Sequence, residues 1–360
     1  MRALAYVFTG WHPIAEREPI HGPDWTEWEL VRSCAPRFEG HAQPKVPLLG
    51  EYDDRDPIAM GQRLGLARDH GVDGVIAGFF WCRGKRVFEE ALTDGILGST
   101  EGQELDYGLM WANRMPRHVL PVKRADLPVI VGSRLVHTDE DDFLALVEHL
   151  AKEHFCRDNY LRVDGRNYLS IYDSTHFVRE LGREGAQRVI ERARDWLAGQ
   201  GLPDLYLVAI DPAPEIAGDV AQLGFDGVTH YVHLPEWKGP HQQDYASCAQ
   251  LRADQWAGIA KLAGLPYAPS IATGWDASAR AADFGRERPN KYPWAPVVTG
   301  EHPDLFHQAV CRGRSFVDSH GGTDGLLMIA SLNEWSEGHH LEPDQRFGYG
   351  WLEALKAALQ

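Results

Sequence analysis

The chain has 360 residues, 44% of them hydrophobic, enough to bury a full core and to exclude a disordered segment. Its 52 acidic residues against 36 basic ones give a formal charge of -16, which argues against nucleic acid and anionic membranes as partners, because no basic patch is visible to neutralise phosphates. Cys34, Cys82, Cys156, Cys248 and Cys311 are scattered without a CxxC or Cys/His cluster, so neither a disulfide framework nor a structural zinc is expected.

Leu4 to Phe8 (LAYVF) is a short apolar run and predicts the first strand. The N-terminus enters this strand at once, without a positive region and export-length apolar helix, and no apolar run approaches the roughly 18 residues of a membrane span, so the chain reads as cytoplasmic unless a leader has been removed, without membrane insertion. Thr9 to about Asp54 follows, rich in Pro, Gly, Trp and His and too long for a plain connection. Asp56 to His70 has helical periodicity, with Asp56 as cap and Pro57 at the first helical position. Val72 to Trp81 contains the second strand, and Val87 to Ile96 the next helix. Asp106 to Asn113 reads as the third strand, and a loop with Arg114, Arg117 and His118 leads to a helix over Thr138 to His154.

Tyr168 to Asp173 is the fourth strand, followed by a helix from about Thr175 to Gln200. Leu205 to Asp211 is the fifth, with a short helix reaching Leu223. Gly227 to Val232 is the sixth, then an insertion with Trp237 and Tyr245 leads into a helix around Leu251 to Leu262. Tyr267 to Asp276 is the seventh, before a helix from Pro303 to Val317. Leu326 to Leu332 is the eighth, and Tyr349 to Leu359 a terminal helix. Strands alternating with helices argue for a parallel sheet. Their number argues for an α/β fold of one closed (β/α)8 TIM barrel, with extended β→α loops and all 360 residues in one catalytic domain. An open doubly wound sheet predicts a phosphate-binding glycine loop after the first strand, and FTGWHP is not one.

In a barrel the strand C-termini meet at one mouth. Those ends bring His12, Trp81, Asn113, Asp173 and Asp211 there, then Tyr231, His233, Trp275, Asp276, Asn333, Glu334 and Glu337. Flat rings suit the apolar faces of sugars, and acids and amides suit their hydroxyls. Each has a plainer reading. Asp173 and Asp211 can cap the following helices, Trp81, Trp111 and Trp275 can simply pack, and His12 can be a satisfied loop histidine. Glu342, before Pro343, can make local hydrogen bonds. His339 and His340 are adjacent on an irregular segment and point apart, so no metal is expected.

Glu334 and Glu337 stand out because they directly follow the buried eighth strand, flanked by Asn333, Trp335 and Gly338. Two acids that close repel, and burial beside Trp335 is expected to leave one protonated and one charged near neutral pH. Glycosidic cleavage needs that division: an acid for the leaving oxygen, and a base or nucleophile opposite.

Several stretches together carry a family likeness: HPI (His12 to Ile14), WTEW (Trp25 to Trp28), GHAQPKVPL (Gly40 to Leu48), YDDRDP (Tyr52 to Pro57), GVDGV (Gly71 to Val75) and WCRGKR (Trp81 to Arg86). WAN (Trp111 to Asn113), RVDGRNYLSIY (Arg162 to Tyr172), GWD (Gly274 to Asp276) with Arg280, and LNEWSEGHHLEPD (Leu332 to Asp344) complete it. The chain resembles the WbsX-type proteins of polysaccharide clusters, often labelled glycosyltransferases, and the related glycoside hydrolase family 99 of endo-α-mannosidases. The resemblance implies a (β/α)8 barrel and a retaining mechanism through a 1,2-anhydro sugar. Glu334 would be the base acting on the sugar's 2-hydroxyl, and Glu337 the general acid that later activates water. Two departures lie at the mouth: Arg114, Met115 and Pro116 follow WAN where relatives continue with a glutamate, and VFTGWHP keeps only His12 and Pro13 of the usual opening.

The expectation is a glycoside hydrolase acting on an α-linked, mannose-like glycan, with no cofactor and no metal. Glu334 and Glu337 would be catalytic, and His12, Trp81, Asn113, Tyr231, Trp275, Asp276, Asn333, Trp335 and Glu342 would bind substrate. Glycosyl transfer in polysaccharide synthesis, with Arg280 to Arg288 as a diphosphate site, and non-catalytic glycan binding are the rivals.

Overall fold

A computed structural model of the chain describes residues 1–113, 138–281, 290–320 and 325–360. The N-terminal apolar run forms β1 (Arg2–Val7), buried from Ala3 onward. A strand without polar alternation needs neighbours on both edges and cover on both faces. Seven more strands supply them: β2 (Gly74–Cys82), β3 (Asp106–Trp111), β4 (Arg166–Ile171), β5 (Leu205–Ile210), β6 (Gly227–Thr229), β7 in two pieces (Tyr267–Ala268 and Ser270–Ala272), and β8 (Leu326–Ala330). All pair in parallel, in chain order.

Closure falls on β7. Its first piece pairs with β6 and its second with β8, which returns to β1 with Arg2 opposite Leu326. Pro269 separates the two pieces, and a proline with no N–H to donate suits the point where a strand changes partner. The expected (β/α)8 barrel is therefore the observed architecture. Its outer layer includes α1 (Pro57–Asp69), α2 (Thr100–Glu104), α3 (Glu140–Glu153), α4 (Arg183–Gly199), α5 (Pro214–Ala217), α6 (Tyr245–Ala263), α7 (Pro303–His320) and α8 (Gly350–Leu359). Asp56 caps α1 as expected, its side chain accepting from Ile58 N.

Several boundaries differ from the sequence expectation, each for a local reason. The helix expected over Thr175 to Gln200 is two helices, because Gly182 adopts φ 72 between Ser174–Leu181 and α4. The region expected as helix from Val87 starts as a hairpin instead. Arg83 and Gly84, at φ 50 and 79, turn β2 back into Lys85–Val87, and two central residues of positive φ match a tight hairpin turn. Asp244 caps α6 and starts it at Tyr245, earlier than expected. α5 stops at Ala217, well short of Leu223.

The long segment after β1 folds over the barrel mouth. It carries short helices at Glu18–His21 and Trp28–Ser33. Trp11 stacks on Trp28 at 3.9 Å, and Trp28 donates from Nε1 to the Tyr52 carbonyl at 2.7 Å. Trp11 donates in turn to the Asn333 carbonyl at 3.1 Å, which ties this loop to the segment following β8. All five cysteines are free thiols. No helix among the described residues is long and apolar enough to cross a membrane.

Candidate active site

The segment after β8 is a small hairpin. Asn333–Glu334 pairs antiparallel with His339–His340, with Glu334 opposite His339, and Trp335–Glu337 forms a 3-10 turn between them. Gly338 closes the turn at φ 70, and a Cβ there would lie 2.9 Å from the Asp276 amide, so both the backbone angle and the space demand glycine. The Asn333 side chain accepts from Phe8 N and donates to Phe8 O, at 2.8 and 2.9 Å, pinning the hairpin to the end of β1. Ser331 Oγ accepts from Glu334 N at 2.9 Å. The turn thus carries Glu334 and Glu337 to the same wall.

One guanidinium joins them. Arg280, in the 3-10 turn Ala277–Ala281, donates from Nη2 to Glu334 Oε1 at 2.7 Å and from Nη1 to Glu337 Oε1. It also donates to Glu27 Oε2 from both Nε and Nη2, at 3.2 and 3.0 Å. Glu27 takes a second cation, Arg17, at 2.8 Å, and accepts from Ser336 Oγ at 2.7 Å. Glu334 accepts from Tyr231 Oη at 2.9 Å. Glu337 accepts from Tyr292 Oη at 2.8 Å and from His339 Nε2 at 3.3 Å. Three buried carboxylates, the buried Arg17 and the largely buried Arg280 therefore form one network.

Two cations cannot neutralise three anions, so the network favours retaining one proton. Burial pushes the Glu334 carboxyl up; Arg280 opposes this but Glu337 and Glu27 add to it. Burial pushes Glu337 up too, but Arg280, His339 and Tyr292 outweigh it and hold that carboxyl down. Glu27 is likewise held down against burial by Arg280 and Arg17. The substrate-free site thus favours a protonated Glu334 and an ionised Glu337. The Trp335 ring between them in sequence stacks on His340 at 3.7 Å and donates to Glu342 Oε2 at 2.7 Å.

Both glutamates line a cavity of about 1000 Å³ at the barrel mouth, the upper end of what small-molecule sites span. Its rim is aromatic. Trp237, 47% exposed, meets Trp275 edge-on at 5.0 Å, and Tyr292 and Trp294 stand beside them. Phe8, Tyr172 and Tyr231 line it deeper in. Across from the glutamates the wall is formed by Asp211, His230, His233 and Glu236.

Of the residues expected from sequence to act on a ligand, Glu334, Glu337, Tyr231 and Trp275 come together on this cavity. The others lie outside its described wall, held by the fold. His12 Nδ1 bonds Asp54 at 2.5 Å, and Trp81 donates to Asp142 at 2.9 Å. Asn113 brackets the Asp173 backbone, donating to its carbonyl and accepting from its amide. Asp276 accepts from Gln43 at 2.6 Å and meets His41 Nε2 at 2.9 Å; Asn333 and Trp335 brace the hairpin as described. Glu342 accepts from Tyr52 Oη at 2.9 Å as well as from Trp335. Asp173 caps the helix Ser174–Leu181, the plainer of its two readings. Arg114, Met115, Pro116, Arg117 and His118, and most of the stretch from Arg280 to Arg288, lie outside the described residues.

Glu27, Arg17 and Tyr292 were not singled out from sequence for this role. Arg280 was noted, but as part of a resemblance and as a phosphate ligand. The WTEW stretch was the one available signal for Glu27. His12, Asp53 and Asp54 place donor atoms within 4.8 Å of one another, a spacing that a metal can use. Asp54 already accepts from Trp11 N while it bonds His12, and Asp53 binds Arg55, so this group is engaged within the protein.

The barrel is shared with carbohydrate-active enzymes. It superposes on the GH99 endo-alpha-mannosidase from Bacteroides thetaiotaomicron with a TM-score of 0.59 and 13% identity, covering 99% of this chain and 96% of that one. A solved glycoside hydrolase-like protein matches with a TM-score of 0.60 at 13% identity, over 100% of this chain and 94% of that one. At such identities the likeness is one of fold. Sequence goes further: the family model described as Glycosyltransferase WbsX matches residues 3–355, and the chain belongs to that family. The uncharacterized protein WxcX of Xanthomonas campestris pv. campestris is 28% identical over 370 residues, covering 99% of this chain and 49% of WxcX. The chain spans about half the length of the curated relatives it matches.

Proposed function

We propose that the chain is a retaining glycoside hydrolase in which Glu334 and Glu337 act at the anomeric carbon of an α-linked, mannose-like sugar. The observation that carries this reading is the pair itself: two buried carboxyls on one guanidinium, with opposite protonation preferences, in the wall of a cavity large enough for several sugar units. The shared guanidinium keeps the two carboxyls close together, which supports the shorter separation of retaining enzymes over the roughly 6.5–9.5 Å that admits an attacking water.

In the sequence assigned by resemblance, Glu334 takes the 2-hydroxyl proton, and that oxygen attacks the anomeric carbon as its bond to the leaving oxygen breaks. Glu337 protonates the leaving oxygen, then removes a proton from the water that opens the 1,2-anhydro sugar, while Glu334 returns its proton to the 2-oxygen. These roles begin with Glu334 charged and Glu337 protonated, the reverse of the substrate-free preference. A substrate that draws Arg280 away from Glu337 while keeping it on Glu334 and Glu27 moves the proton across with no net change of charge.

Glycosyl transfer, the activity in the family's description, is the second reading. A diphosphate donor wants uncommitted cations, and among the described lining residues Arg17 and Arg280 are engaged by carboxylates and Arg252 by the Leu234 and Pro235 carbonyls. Lys291 lies over the Trp294 ring at 5.6 Å. This favours hydrolysis. The test is turnover of a panel of α-linked mannooligosaccharides beside a panel of sugar nucleotides, for wild type, Glu334→Gln and Glu337→Gln. Release of reducing sugar by wild type alone, with binding kept in the variants, supports the proposal. Activity confined to sugar nucleotides establishes transfer in its place, and inertness toward both with binding retained leaves a glycan-binding protein.

A further inference from the structure

We infer that the cavity wall facing the glutamate pair is a second recognition site, in which Asp211 and His230 together grip a vicinal pair of sugar hydroxyls and select the sugar. The inference rests on the reading of the cavity as a glycan site, and it concerns binding rather than the reaction.

Asp211 follows β5 directly and adopts φ 48. Left-handed backbone in a residue other than glycine costs about 1–3 kcal/mol and persists where the surroundings enforce it. Here the Asp211 amide is fixed on the Thr229 carbonyl at 3.0 Å. The plainer reading, that Asp211 caps the next helix, does not hold: α5 has Ala213 at its N-cap and no side-chain cap bond. The carboxyl instead lines the cavity with 46% of its side chain exposed. Among the described residues no arginine or lysine pairs with it. Burial within the cleft pushes it up to about 7, the Tyr231 amide opposes this, and Asp173 adds to it. In this condition it can accept from a hydroxyl or share its own proton with one.

The imidazole beside it has a defined tautomer. Tyr267 Oη lies 2.8 Å from His230 Nδ1 and 3.2 Å from His233 Nδ1. Burial holds both histidines neutral, His230 down at about 3 and His233 at about 2, and the rings stack at 3.9 Å. A tyrosine hydroxyl has one proton, which the shorter contact assigns to His230 Nδ1. His233 Nδ1–H then donates to the tyrosine oxygen. His230 is left with its proton on Nε2, 3.6 Å from Asp211 Oδ1. That spacing is too long for a direct hydrogen bond. An N–H donor and a carboxyl side by side, both open to the cavity, match adjacent sugar hydroxyls, one accepting from His230 and one donating to Asp211.

Tyr231 links this wall to the other. Its hydroxyl donates to Glu334 at 2.9 Å, and its amide lies 3.5 Å from Asp211 Oδ2. A sugar held by Asp211 and His230 is thus within one tyrosine length of the glutamate pair.

The test is titration calorimetry of wild type, Asp211→Asn and Tyr267→Phe with the methyl α-glycosides of mannose, glucose and galactose, then with monodeoxy analogues of whichever binds best. Asparagine tolerates left-handed backbone as aspartate does, so Asp211→Asn should fold. In wild type, removing either of two adjacent hydroxyls should weaken binding about 10-fold or more, as sites built to bond a hydroxyl do. In Asp211→Asn the penalty for the hydroxyl that donates to Asp211 should shrink, in Tyr267→Phe the penalty for the one that accepts from His230 should shrink, and affinity for the parent sugar should fall in each. Nitrogen-15 NMR of labelled histidines should show His230 protonated on Nε2 in wild type and a mixture of tautomers in Tyr267→Phe. Unchanged deoxy penalties in Asp211→Asn, a wild-type His230 protonated on Nδ1, or a wild type that binds none of the three glycosides overturns the inference. Because binding needs no turnover, a wild type that binds these sugars but cleaves no glycan sinks the hydrolase reading alone.

Discussion

The two facing walls of the cavity carry acids in opposite settings: Glu337 is buried, with 10% of its side chain exposed, whereas Asp211 has 46% exposed. On the β8 side, Glu337 is pushed up by burial but meets Arg280, His339 and Tyr292, which together hold it down. On the β5 side, Asp211 is pushed up by desolvation within the cleft, with the Tyr231 amide as its counterweight, and rises to about 7. Arg280, His339 and Tyr292 together keep Glu337 charged, and Asp211 has no arginine or lysine partner among the described residues. On the proposed reading, the wall with Arg280 serves proton transfer and the wall with Asp211 and His230 serves hydroxyl recognition.

The sharpest way to break this contrast is at the pair itself. Glu334→Gln and Glu337→Gln should each lower turnover by about 10²–10⁴-fold, the usual worth of a positioned acid or base. Substitutions on the Asp211 wall should act chiefly through KM. A matching loss of kcat in Asp211→Asn would erase the distinction between the walls.

The next largest effect is on stability. Glu27 is the shared counter-charge of Arg17 and Arg280. Glu27→Ala leaves the buried Arg17 without its carboxylate and should cost about 3–5 kcal/mol, measured by urea unfolding. A loss below about 1 kcal/mol would mean that the network is poorly held.

Arg280→Met should remove the feature that separates the walls. Without the guanidinium both carboxyls follow burial upward, Glu334 as the base and Glu337 as the acid, and both limbs of the pH–rate profile should move to higher pH by about 1–3 pH units. An unmoved limb would show that Arg280 does not set the proton.

Glu342 offers a control behind the β8 wall, raised to about 7 by burial despite Arg63, Trp335 and Tyr52. An acid raised on folding keeps its proton longer in the folded state than in the unfolded one, so its contribution falls as pH rises from about 4.3 toward 7. Glu342→Gln should therefore flatten the decline of stability over that window by about 1–3 kcal/mol. The check is the urea midpoint at a series of pH values. Smallest of all, Trp237→Ala at the rim should raise KM about 3–10-fold with kcat nearly unchanged, the scale of one aromatic contact.

Part of this was legible in the amino-acid order. Eight apolar runs, each with a helix behind it, lead to the barrel because a strand without alternation must be covered on both faces, as β1 and β8 are. The glutamate pair was legible because it directly follows the last such run, and strand C-termini face the mouth. Local chemistry was legible too where a side chain bonds its own neighbourhood, as with Asp56 capping α1.

The tertiary structure alone decided what those groups experience. Trp335 sits between the glutamates in sequence yet turns away to His340 and Glu342, while Arg280 and Glu27, 253 residues apart in the chain, meet beside them. Asp173 and Asp211 occupy like positions after β4 and β5, but one caps a helix and the other faces the cavity at φ 48. Periodicity and strand ends are short-range properties that a sequence carries directly. Charge compensation depends on distances across the barrel, and chain spacing does not encode them.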